Sequence, residues 1–85
     1  MVSIGGKTYQ ADEWSYGGFL LNTDTTNLPL GTLVNIDSVG KAPKSLMAVG
    51  IRARVSRVTD DGSQVALSCL HLDDDAYRAL ADLGQ

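Results

Sequence analysis

The stretch "LMAVGIRARVSRV", residues 46–58, decides the fold. Apolar and polar residues alternate along it, with Val49, Ile51, Ala53 and Val55 on one side and Gly50, Arg52, Arg54 and Ser56 on the other. Successive side chains of an extended chain point to opposite faces, so this alternation sends the first set to a core and the second to water. The parity slips once, because Val58 follows Ser56-Arg57 and falls out of step. A β-bulge near that point, adding one residue to the strand, restores it. The stretch therefore reads as a long, half-buried strand that bends near its end.

Its neighbours follow from the flanking sequence. Asp60-Asp61-Gly62 forms a hairpin turn, and "QVALSCL" (64–70) is the return strand. Upstream, "TLVNID" (32–37) sets Val34 and Ile36 against Leu33, Asn35 and Asp37, a second half-buried strand. Gly5-Gly6 lies between residues 2–4 and 7–11 and supplies the two positive φ angles of a type I′ hairpin turn. Phe19, Leu20 and Leu21 make a short apolar run that reads as a buried strand. "NTDTTNLPLGT" (22–32) and "DSVGKAPKS" (37–45) are rich in turn formers and read as polar surface connections.

The chain closes in one short helix. Asp73 is the N-cap, Asp74 and Asp75 favour the positive end of the helix dipole, and Leu72 is placed to staple onto Tyr77. Tyr77, Leu80 and Ala81, with Ala76 and Leu83, form the apolar face, and Gly84 ends the helix. The predicted fold is mainly β: a small antiparallel β-barrel of five to six strands with a C-terminal α-helix on its mouth or side. Its predicted core is Val34, Ile36, Val49, Ile51, Val55, Val65 and Leu67, capped by Tyr77 and Leu80.

Composition narrows the functions. Eighty-five residues, 44% hydrophobic and 20% charged, suit one folded domain spanning 1–85. A net charge of −3 argues against a general electrostatic grip on DNA, RNA or an anionic membrane. Cys69 is the only cysteine, so no intrachain disulfide forms, which fits a cytoplasmic location. No apolar run approaches the roughly 20 residues that span a bilayer.

Few residues carry chemistry. His71 and Cys69 lie two apart in one strand and cannot supply a four-ligand metal site. Cys69 reads as a small core residue beside Val65 and Leu67. Ser15 has no histidine near it in sequence and no strand–elbow–helix context, and Asp73-Asp74-Asp75 reads as cap and dipole partners, so no enzyme, cofactor or metal is expected. What remains is "DEWSYGGFLL" (12–21). It reads either as a tight corner of a β-protein or as a place where glycine backbone, a hydroxyl and a carboxylate meet a nucleotide.

That corner resembles the short motif of the PilZ family of bacterial domains: Asp or Asn, any residue, Ser, two residues, Gly. "EWSYGGFLL" supplies Glu13, Ser15 and Gly18 at those spacings, with Gly17 matching a frequent variant. "LPLGTLVNI", "ARVSRVTDDGSQVALSCLHL" and "DDDAYRALADL" are similar to the later strands and closing helix of that family, so the resemblance covers nearly the whole chain.

The resemblance implies a β-barrel signalling module related to cyclic di-GMP receptors, with Glu13, Ser15, Gly17 and Gly18 as its ligand residues. The family's second element, an Arg-x-x-x-Arg arm ahead of the first strand, has no counterpart here, since no Arg precedes Arg52. Glu13 also stands where Asp or Asn is usual, which moves the carboxylate by about one C–C bond, ~1.5 Å. Two readings follow. In one the chain belongs with an arm, or a partner supplies the arginines, and binds cyclic di-GMP. In the other it is an adaptor that contacts another protein through Arg52 and Arg54, joined by Arg57 if a bulge turns it outward.

Overall fold

The computed structural model describes residues 1–23 and 28–83. Seven strands form one antiparallel sheet: β1 Val2–Ile4, β2 Lys7–Tyr9, β3 Ala11–Ser15, β4 Gly18–Leu21, β5 Leu33–Val39, β6 Met47–Val58 and β7 Val65–Leu72. A short 3-10 turn, Pro43–Ser45, lies between β5 and β6, and an α-helix, α1 Asp74–Asp82, follows β7. The strand order is β2-β1-β5-β6-β7-β4-β3. Its two end strands are consecutive pieces of one stretch, residues 7–15, interrupted only at Gln10. The first piece pairs with β1 and the second with β4, so the chain itself nearly closes the barrel.

This explains why there are seven strands and not five or six. The additional strand is β3, where only Ala11 and Trp14 are partly covered. A bulge at Asp12, between the pairs Ala11–Leu21 and Glu13–Leu20, removes the period-two signal that would have marked it. The strand β5 likewise runs two residues past Asp37 to a buried Val39, because a second irregularity around Asp37 hides the alternation.

The long strand behaves as its pattern requires. Residues 47–54 pair with β5 and residues 51–58 with β7, the stagger by which one strand serves both walls of a small barrel. Ser56 is the extra residue between the pairs Val55–Leu67 and Arg57–Ala66, which is the expected bulge. Gly5 and Gly6 turn the first hairpin with φ of +59° and +86°. Gly62, at φ +73°, turns the β6–β7 hairpin, where Asp61 accepts hydrogen bonds from Thr59 and Ser63.

Val34, Ile36, Ile51, Val55, Val65, Leu67 and Leu80 are buried as expected, and Val49 is half-buried against them. Burying each large apolar side chain stabilises the fold by roughly 1.5–3 kcal/mol. Leu28 is also buried, although the 22–32 segment reads as a surface connection, and residues 24–27 of that segment lie outside the described residues.

Tyr77 does not cap the core: it is 49% exposed, and Ala81 is exposed too. The helix instead buries Ala76, Ala79 and Leu80, with Leu83 packed beside them. Small residues on that face let the helix lie close on β6, where a tyrosine ring would hold it away. Its start is pinned from two sides. Asp73 accepts from the Ala76 N–H at 2.8 Å, and its own N–H donates to the Gly50 carbonyl at 3.0 Å. Gly50 leaves room for this, since a Cβ there would stand 2.5 Å from the Asp73 carboxylate. Gly84 lies outside the described residues.

Candidate functional site

The β3–β4 hairpin carries the "WSYGG" corner, with Ser15 opposite Gly18. The Ser15 hydroxyl accepts the Gly17 N–H at 3.1 Å, and the Gly17 carbonyl accepts the Cys69 N–H at 2.9 Å, fastening the turn to β7. Gly18 faces Ser68, and a Cβ on it would run into the Leu67 carbonyl oxygen. Packing therefore demands glycine at 18. It makes no such demand at 17, where a Cβ would meet only the Ser15 hydroxyl at 3.6 Å.

Strand register organises the outer surface into rows. Ser15, Gly18, Ser68, Arg54 and Leu33 lie side by side across five strands. The adjacent row is Glu13, Leu20, Ala66 and Arg57. Between these residues lies an open groove of about 880 Å³. Glu13, Ser15 and Gly18 line it on the β3–β4 side, and Ser56, Arg57, Ala66 and Ser68 on the β6–β7 side. Gly17 sits at the turn just beyond its end.

Asp12 lines the same groove, although strict alternation would turn it to the opposite side from Glu13. The bulge at Asp12 is the reason. Its carboxylate is engaged, accepting from the Asn22 amide at 2.9 Å and the Gln64 amide at 2.6 Å. Trp14 lies in the core-facing row with Phe19, Leu67 and Val55, and its buried indole N–H has no hydrogen-bond partner among the described residues. On its other side it borders a narrower, mostly apolar pocket of about 500 Å³ with Val2, Phe19, Val39 and Leu83.

Arg52 and Arg54 are both exposed on the outer face of β6, but their surroundings differ. Arg54 stands in the Ser15–Gly18–Ser68 row. Arg52 lies between Asn35 and His71 and borders a separate depression of about 440 Å³ that includes Asp37 and Asp73. Beside the corner, the exposed rings of Tyr16 and Tyr77 meet at 5.3 Å. Cys69 is half-buried, and burial pushes its thiol up to about 11, which keeps it protonated and unreactive near neutral pH. Among the described residues, no three His, Cys, Asp or Glu side chains are grouped to hold a metal ion, and no helix is long and apolar enough to cross a membrane.

Sequence reasoning placed Glu13, Ser15 and Gly18 together but did not anticipate Ser56, Ala66 or Ser68 as their neighbours. For Arg57 there was a signal, the parity slip after Val55. For the others there was none, since only the β4–β7 and β6–β7 registers bring them in.

Fold and groove together define a small, nearly closed antiparallel barrel with an open groove of mixed polar and apolar lining across its outer face. No protein-family model matches the chain, and searches of curated proteins and of solved structures return no match.

Proposed function

We propose that this chain is a PilZ-like bacterial signalling module, acting in the cytoplasm, whose outer groove takes a cyclic dinucleotide of the cyclic di-GMP class. The observation that supports this reading is the sharing of one open groove by Glu13, Ser15 and Gly18. The Glu13 carboxylate accepts from the N–H edge of a guanine. The Ser15 hydroxyl, while accepting from Gly17, still has its proton to donate to a ligand oxygen. Gly17, which the packing leaves unconstrained, lets a ligand approach the backbone. Titrating cyclic di-GMP tests this. The amide signals of residues 13–18 and the fluorescence of Trp14 should both change, and silence at millimolar ligand overturns the reading.

A second reading, a protein-contact adaptor, is favoured by the exposed Tyr16–Tyr77 pair and by exposed Arg52 and Arg54. Exposed aromatic rings and arginines are the residue types enriched at interface centres. In that case the double change Arg52→Ala/Arg54→Ala abolishes a salt-sensitive association with a protein partner.

A further inference from the structure

The groove holds a cation that the family motif does not include. We propose that Arg57, turned outward by the Ser56 bulge, is the residue that grips the phosphate of a ligand in the Glu13–Ser15 groove, so that the site carries its own arginine without an upstream arm. The inference rests on the groove reading given above, and the bulge is its physical basis. Val55 points into the core, so regular alternation would send Ser56 out and Arg57 in. The extra residue reverses this, leaving Arg57 exposed and opposite Ala66, on the groove wall. Ser56 holds the distortion by donating its hydroxyl to the Ala66 carbonyl at 3.3 Å.

Three features suit Arg57 to a phosphate. Among the described residues its guanidinium has no ion pair or side-chain hydrogen bond, so its planar set of N–H donors faces the groove unused. The floor beside it is low, since Ala66 and Ser68 project little over the sheet. The charges are also separated: Glu13 and Arg57 stand in one row with Leu20 and Ala66 between them. Three strand spacings put their backbones about 14 Å apart along the sheet. Asp12 is at the Glu13 end and already hydrogen-bonded. A ligand with N–H donors at one end and a phosphate at the other therefore lies across the strands, with the donors at β3 and the phosphate at β6.

The test is a pair of NMR titrations of the whole chain, one with cyclic di-GMP and one with inorganic pyrophosphate. Wild type is compared with Arg57→Gln, Arg57→Lys and, as a control for net charge, Arg78→Gln on the exposed face of α1. Arg57 is exposed, so these variants should keep the dispersed spectrum of the folded protein. Wild type should shift the amides of residues 56, 57, 66 and 68. Arg57→Gln should weaken binding at least tenfold and flatten its salt dependence, Arg57→Lys should weaken it less, and Arg78→Gln should leave it unchanged. Equal affinity of wild type and Arg57→Gln for cyclic di-GMP overturns the Arg57 assignment and leaves the dinucleotide reading standing. Equal weakening by Arg57→Gln and Arg78→Gln also overturns it, as an effect of net charge alone. Pyrophosphate binding that depends on Arg57, with no response to cyclic di-GMP, keeps the assignment and removes the dinucleotide. No response to either ligand overturns both.

Discussion

The chain contains two Gly-Gly pairs, and they serve different physical needs. Gly5-Gly6 has positive φ at both residues, and a Cβ on either would meet open space. Gly17-Gly18 has positive φ at neither, yet a Cβ on Gly18 would strike the backbone of β7. The first pair is demanded by backbone conformation, a property of the turn itself. In the second, one glycine is demanded by a neighbouring strand and the other by nothing in the fold. Identical dipeptides thus separate a local requirement, a tertiary requirement and a position that the packing leaves unconstrained.

Substitution by alanine should rank these positions. Gly18→Ala should have the largest effect, about 3 kcal/mol in chemical denaturation, because the obstacle is a rigid carbonyl and the strand must shift. Gly5→Ala and Gly6→Ala should each cost about 1 kcal/mol by the same measurement, the penalty of an L side chain at positive φ. Asn at either position should recover part of that loss. If Gly5→Ala matched Gly18→Ala, the distinction between conformational and packing glycines would fail.

The third turn sharpens the local side of the comparison. Gly62 has positive φ like the first pair, but here the turn is also held by a carboxylate. Asp61 accepts from the Ser63 N–H, the Ser63 hydroxyl and the Thr59 hydroxyl, and these bonds, the Ser63 N–H foremost, hold its pKa below the ordinary 3.8. Its contribution is therefore complete above pH 3.8 and is lost as pH falls through the lowered folded value. Acid titration of stability should show a small extra loss in wild type below that pH, which Asp61→Asn removes.

Gly17→Ala should have the smallest effect on stability, within about 0.5 kcal/mol. It is also the cleanest probe of the corner, since a loss of ligand binding in a variant of unchanged stability points to contact with ligand. A large loss of stability at Gly17 would mean that the corner is structural throughout.

Much of the fold was legible because it rests on local rules. Alternation marked β5, β6 and β7, and the parity slip after Val55 located the Ser56 bulge. Asp73 announced the helix start through its side chain's fit to a free N–H. β3 was missed because the bulge at Asp12 erases alternation in a strand with little apolar side. The buried helix face was misplaced because Tyr77 and Ala76 are both apolar and adjacent, and hydropathy does not say which one fits against β6. At the candidate site, the spacing of Glu13, Ser15 and Gly18 was visible, whereas their alignment with Arg57 was not.

The sequence by itself determined the β-class, the hairpins at Gly5-Gly6 and Gly62, the helix cap and the bulge, since each follows from φ preferences, side-chain capping or period two within a few residues. Only the tertiary structure decided that residues 7–15 change partners at Gln10, that Gly18 lies against Leu67, and that Arg57 shares a groove with Glu13. The last two depend on the β4–β7 register, which pairs residues 44 to 50 apart in sequence, and no local preference encodes it.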